Sequence, residues 1–195
     1  MSYRATTLRH LAAQQGYRYS PTDEGNLLRQ IEEFRLPSRG RARQITNVLR
    51  RQHSLLEYDA YLFDYSFQDY AGKHVHRQSV LYLHSQQLGL PELMLQPETL
   101  LHKLGELFGL HDIDFVRFPK FSKQYRLTGE DEDYIRHHFS EDVLNYFTLN
   151  KGWSVEALGY YLLLYKQDVL LSPDQLEALF QRGLEVYRLF RMPAG

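Results

Sequence analysis

The pattern that most restricts the fold of this chain lies between residues 58 and 85. Tyr61, Phe63, Tyr65 and Phe67 recur at every second residue, while Ala60, Asp64, Ser66 and Gln68 hold the alternate places. Successive side chains of an extended strand point to opposite faces, so this spacing puts four rings on one face. Such rings suit a pleated, half-buried surface, and Leu62 adds apolar character to the other face. A second run, residues 80–83, follows Gln68-Asp-Tyr-Ala-Gly-Lys73, in which Gly72 is free to take a positive φ, so the stretch reads as a β-hairpin. Two registers are compatible with it. A two-residue loop at Ala71 and Gly72 sets Phe63 opposite Val80 and Tyr61 opposite Tyr82; a three-residue loop sets them opposite Leu81 and Leu83. The longer loop is preferred, because it gathers Leu81 and Leu83 behind the rings, and a slip of one residue exchanges the faces of the whole second strand.

Periodicity and punctuation outline the rest of the chain. Residues 4–15 place Ala5, Leu8, Leu11 and Ala12 on one helical stripe, and Gly16 stands where a left-handed cap would end it. Pro21-Thr-Asp-Glu-Gly25 marks a turn, after which Leu27, Leu28, Ile31 and Phe34 keep helical spacing until Pro37. A strand is expected from about Ile45 to Arg51. A short one over residues 92–96, bracketed by Pro91 and Pro97, belongs near a sheet edge or ends abruptly. Residues 99–108 predict an amphipathic helix stopped by Gly109, and residues 121–128 a strand in which Gln124, Arg126 and Thr128 alternate with Tyr125 and Leu127. The acids at 130–133 suit the positive end of a helix running through Phe139. Ser140 caps a further helix carrying Val143, Leu144, Tyr146 and Phe147. A second hairpin spans residues 153–166 around Gly159. Ser172-Pro-Asp-Gln175 then combines cap, first-turn proline and capping-box partner for a last helix with Leu176, Leu179, Phe180, Leu184 and Tyr187 on one stripe. The expected fold is α+β, a predominantly antiparallel sheet built from hairpins with helices packed mainly on one face. It is expected as a single domain over residues 1–195, with an N-terminal helical segment (1–36) and a sheet-and-helix body (45–190).

Lys and Arg total 23 against 24 Asp and Glu, a formal net charge of −1, which argues against general polyanion binding and makes any nucleic-acid or lipid role depend on a local patch. One patch stands out. Arg35, Arg39, Arg41, Arg43, Arg50 and Arg51 fall in a stretch without a single acid. Guanidinium forks grip phosphates, so Arg39, Arg41, Arg43, Arg50 and Arg51 are the candidate binding residues for an anion such as nucleic acid or a phosphorylated metabolite. The competing reading is a solvated loop feeding a strand with a basic outer face, or a set of partners for acids elsewhere. The run also lacks the interleaved aromatics of a single-strand nucleic-acid groove. Cysteine is absent, which excludes disulfides, thiol catalysis and cysteine-ligated zinc. The amino terminus has no apolar core of signal-peptide length and the apolar run at 160–165 is too short to cross a bilayer, so a cytoplasmic protein is expected.

No reaction centre assembles from motifs. A nucleophile elbow, a Walker loop, a dinucleotide fingerprint and a zinc-protease helix are all missing. His74 and His76 would share a strand face, but no third ligand accompanies them, and surface histidines account for them. The acids at 130–133 lack the spacing of a calcium loop. His76 with Asp64 is the least poor dispersed acid–base pair. No catalytic residue, metal ligand or cofactor is assigned.

Phe121-Ser-Lys-Gln-Tyr-Arg-Leu-Thr-Gly-Glu-Asp-Glu-Asp133, Phe139-Ser-Glu-Asp-Val-Leu144, Gly152-Trp-Ser-Val-Glu156 before Leu162-Leu-Leu-Tyr165, and the stretch 80–95 resemble a pattern found in uncharacterised bacterial proteins of unknown function. The resemblance spans roughly residues 47–190 and implies an α+β body in the order strand, acidic turn, two helices, hairpin, helix. Relatives of that kind often carry membrane-spanning segments, which this chain lacks, and no catalytic residue is implied. The leading expectation is therefore a non-enzymatic binding or scaffold domain that meets a protein partner through an exposed sheet face or the basic segment. The alternatives are an anion-binding domain and an enzyme with a dispersed acid–base site.

Overall fold

A computed structural model describes residues 2–53, 58–100 and 111–191. Its strands are β1 (Arg18–Thr22), β2 (Arg41–His53), β3 (Tyr58–Gln68), β4 (Val75–His84), β5 (Leu90–Pro97), β6 (Tyr125–Gly129), β7 (Ser154–Gly159) and β8 (Tyr161–Tyr165). They form one sheet in the order β1-β2-β3-β4-β8-β7-β5-β6, antiparallel throughout. The helices are α1 (Tyr3–Gln15), α2 (Leu27–Gln30), α3 (Arg35–Ser38), α4 (Pro119–Ser122), α5 (Glu132–His138), α6 (Glu141–Leu149) and α7 (Pro173–Phe190).

One sheet face carries Ala60, Leu62, Leu81, Leu83, Leu93, Leu95, Val155, Leu162 and Leu164. It is covered by Leu8 and Ala12 of α1, Ile135 of α5, Phe147 of α6, and Leu179 and Phe180 of α7. The other carries the rings of Phe63, Tyr65, Phe67 and Tyr82 with Val80, Leu163 and Tyr165, under Leu27, Ile31, Phe34 and Leu36. The fold is thus α+β, with hairpin-built antiparallel strands and most helices on one face.

The central hairpin adopts the register that was not preferred: Phe63 faces Val80 and Tyr61 faces Tyr82. Its turn closes with Asp69 N–H donating to the His74 carbonyl at 3.0 Å and Gly72 N–H to the Asp69 carbonyl at 2.9 Å, with Gly72 at φ 71°. The reason is tertiary. Leu81 and Leu83 are needed beside Ala60 and Leu62 on the α7 side, so rings and aliphatics sort onto opposite faces. At Gly183 the approach is so close that a Cβ would stand 1.8 Å from Leu81 Cδ2, inside the packed core. Gly183→Ala should therefore lower stability by about 1–3 kcal/mol, although alanine favours a helix by about 1 kcal/mol. Urea unfolding measures it, the costs of Gly183→Ala and Leu81→Ala should sum to more than that of the double variant, and an unchanged midpoint would contradict this contact.

Several local expectations shift. The helical stretch after Gly25 breaks into the single turns α2 and α3, because Asn26 is left-handed (φ 57°) and the Asp23 carboxylate takes the Leu27 and Leu28 N–H groups at 2.7 and 2.9 Å. Strand β1 runs on through Pro21 at the sheet edge, where a missing N–H is tolerated. Strand β2 begins earlier than expected and accommodates two bulges, at Ala42 (φ 50°) and Asn47 (φ 52°). Phe121 lies in α4 rather than in a strand, and β6 starts only at Tyr125. Strand β5 lies one position in from the edge. The helix expected over 99–108 falls, beyond a 3-10 turn at Glu98–Leu100, outside the described residues. Gly16 ends α1 at φ 73° and Ser172 N–H donates to Gln175 at 3.0 Å, as read, and within the acidic run Asp131 also caps α5 by taking the Tyr134 N–H at 3.0 Å.

Candidate functional site

The six arginines scatter. Arg35 lies 3.6 Å from Glu92. Arg39 reaches Glu156 at 3.7 Å, donates to Gln167 and stands 5.7 Å over the Tyr165 ring. Arg41 lies beside Gly72, and Arg43 donates to the Pro37 carbonyl at 3.4 Å. Arg50 gives Nε and Nη2 to Asp59 at 3.0 and 2.6 Å. Arg51 is sandwiched between Tyr17 and Phe180, 3.9 and 4.6 Å from the ring centres, donates to the Gln15 carbonyl and faces Glu177 at 3.8 Å. Arg50 and Arg51, adjacent in β2, leave opposite faces: Arg50 is opposite Tyr61 and Arg51 opposite Ala60. Arg39, Arg41, Arg43, Arg50 and Arg51 therefore do not converge on one surface, and four of the six arginines serve as partners for carboxylates within the fold.

What does converge is Arg50 with a residue outside that run. The β1–β2 register sets Arg18 directly opposite Arg50. Like charges so placed repel one another. Beside them opens a pocket of about 260 Å³ with Leu27, Val48 and Tyr61 in its walls and Glu24 at its rim. Arg18 makes no ion pair with any described residue, whereas Asp59 is already held by Arg50, by Gln52 at 3.4 Å and by the Tyr61 hydroxyl at 3.0 Å. Asp59 engages Arg50 through Nε and Nη2 and not through Nη1, and the guanidinium stands 5.2 Å over the Tyr61 ring. Burial first, then the bond to Asp59, pushes the Tyr61 phenol up to about 12, and the Asp59 bond raises Arg50 further, so one stays neutral and the other charged at ordinary pH. From Tyr61 a row of rings crosses the sheet: Tyr82 at 5.8 Å, then Tyr161 stacked 5.9 Å beyond, then His84 at 4.7 Å. The basic run lacked aromatics in sequence; pairing with β3 supplies them in space. Arg18 had no signal of its own, since only the strand register brings it to Arg50.

Farther along the same face the sheet turns polar. Gln96, Thr128, Ser154 and Glu156 are all at most 2% exposed. Glu156 accepts from the Arg35 and Leu36 N–H groups at 2.6 and 3.2 Å and from the Tyr165 hydroxyl at 2.6 Å, which fastens α3 to the sheet. Its position inside a plain hairpin strand gave no hint of this role. Burial drives the Tyr165 phenol well above its ordinary range.

The remaining candidates are accounted for by other contacts. Asp64 binds Arg4 twice, at 2.6 and 2.7 Å, and Asn47 at 2.9 Å. His76 bonds Asp168 at 2.7 Å and stacks on Phe67 at 4.7 Å. Asp64 is opposite Ser79 and His76 opposite Phe67, so the two leave opposite faces and the acid–base pair is not assembled. Asp112, beside His111, accepts the Leu127 N–H at 3.1 Å. Of the acidic run, Asp131 caps α5 and Glu132 pairs with Arg136 at 2.6 Å. Among the described residues no group of three or more His, Asp or Glu side chains is placed to hold a metal, and no helix is long and apolar enough to cross a membrane.

Comparison with known proteins adds no further constraint: no protein family, curated protein or solved structure matches the chain.

Proposed function

We propose that the protein is a binding domain whose ligand is a small anion held between Arg18 and Arg50. The carrying observation is that Arg18 and Arg50, opposite one another in the β1–β2 register, line one pocket, with Arg18 making no ion pair among the described residues. An anion lying between them would remove a like-charge repulsion and use guanidinium edges shaped for two-pronged recognition. This reading is favoured over a protein partner on the sheet face because the central rings of that face are covered. Phe63, Tyr65 and Phe67 lie under Leu27, Ile31, Phe34 and Leu36, and the exposed ring of Tyr161 stands at the margin of that face.

Thermal unfolding at low salt, with and without a panel of acetate, benzoate and inorganic phosphate, tests the proposal. An anion at a hundred times its dissociation constant should add about 2.7 kcal/mol, a rise of roughly 5–11 °C in Tm at about 2–4 °C per kcal/mol. Arg18→Ala should abolish the rise, and Arg41→Ala, away from the pocket, should leave it intact. A Tm unmoved by every anion, or moved equally in Arg18→Ala, would end this reading.

A further inference from the structure

We infer that the anion taken by this pocket is a monocarboxylate with a compact apolar body, such as an aromatic or short branched acid, and not a phosphate ester. This inference rests on the anion-binding reading above and narrows its ligand.

Charge is the first ground. The pocket gathers Arg18 and Arg50, but Asp59 is bound to Arg50 and Glu24 also lines it, so the four charges sum to about zero and Arg18 is the cation left without an ion pair among the described residues. A carboxylate brings a single negative charge, which Arg18 can pair. A phosphate monoester carries about −1.5 to −2 at neutral pH and would hold uncompensated charge close to two carboxylates. Geometry is the second ground. A planar carboxylate meets the planar fork of Arg18 with two parallel bonds, and its second oxygen can also take the Arg50 Nη1 edge that Asp59 does not engage.

The walls supply the third ground. Leu27 and Val48 are 1% and 7% exposed, and Tyr61 presents its ring while its hydroxyl is committed to Asp59. These three residues give the pocket an apolar side that suits hydrocarbon or an aromatic ring, beside the polar Ser20, Thr22 and Glu24. Volume sets the size. About 260 Å³ is just below the lower bound of drug-sized sites, roughly 300 Å³, so the body is a single ring or a short branched chain.

Calorimetric titration of the full chain at low salt with three matched probes tests the inference: benzoate, phenyl phosphate and acetate. Benzoate and phenyl phosphate share a ring and differ in the anion; benzoate and acetate share the anion and differ in the body. Benzoate is expected to bind at least about tenfold more tightly than either of the others. Arg18→Ala should weaken it about tenfold or more, with an unchanged circular dichroism spectrum because Arg18 is exposed on the edge strand. Val48→Thr, which puts a hydroxyl in the wall at nearly constant volume, should weaken benzoate several-fold and leave acetate unchanged. Phenyl phosphate binding as tightly as benzoate or more so, with Arg18 still required, would overturn the carboxylate inference while the anion site stands. Acetate matching benzoate would overturn the apolar-body half. If none of the three binds, or Arg18→Ala changes nothing, the pocket is not an anion site and both readings fall together.

Discussion

Above about pH 10 the folded protein should lose stability steeply and unfold by roughly pH 11–12. Tyr17, Tyr65, Tyr82, Tyr125 and Tyr165 are all buried, at most 7% exposed, and burial is the largest cause raising each phenol above its ordinary value. In the unfolded chain they release protons near pH 10 while the folded protein still retains them. Their contribution to stability is therefore complete below about pH 10 and declines as pH rises through the window up to the folded values. Each fully displaced phenol removes about 1.4 kcal/mol per pH unit in that window, and five of them remove about 7, against a total stability of about 5–15 kcal/mol. Absorbance at 295 nm and far-ultraviolet circular dichroism, followed together, give the answer. The phenolate signal of the buried rings should appear with the loss of secondary structure, as one transition. Ionisation of all the tyrosines completed before any change in circular dichroism would mean that water reaches these rings.

Glu156→Ala should cost about 3–5 kcal/mol, the range found when one partner of a buried charged pair is removed. Glu156 is 2% exposed, and its loss would take away the carboxylate facing Arg39 and leave the Tyr165 hydroxyl and the N–H groups of Arg35 and Leu36 without their acceptor. Glu156→Leu combined with Arg39→Met should recover only part of the loss. The double change removes the unpaired charge, but the two N–H groups and the hydroxyl remain without an acceptor. Guanidinium unfolding of the three proteins measures both effects. A cost below about 1 kcal/mol would show that α3 is not fastened to the sheet by this carboxylate.

Much of the fold was legible in short stretches of sequence. Period-two rings at 61–67, the Gly16 stop and the Ser140 and Ser172 caps all appear where the local pattern put them, whereas the strand expected between Pro91 and Pro97 runs through both. Polar alternation along 124–128 also marked a two-faced strand. Its polar side reads as a solvent face, yet Thr128 is 1% exposed and Gln96 beside that strand 2%. The candidate site was half legible. Arg50 belonged to a visible basic run, but the same run contained Arg39 and Arg51, which turn inward to Glu156 and Glu177. Arg18 carried no mark at all.

By itself the sequence determined the central hairpin, the second hairpin and the capped helices, because torsional preference, capping and side-chain period act over a few neighbouring positions. Only the tertiary structure decided the hairpin register, the opposition of Arg18 to Arg50 and the enclosure of Glu156. Local forces were nearly indifferent between the two registers; seating α7 on Leu81 and Leu83 separated them, and that packing joins residues about a hundred positions apart.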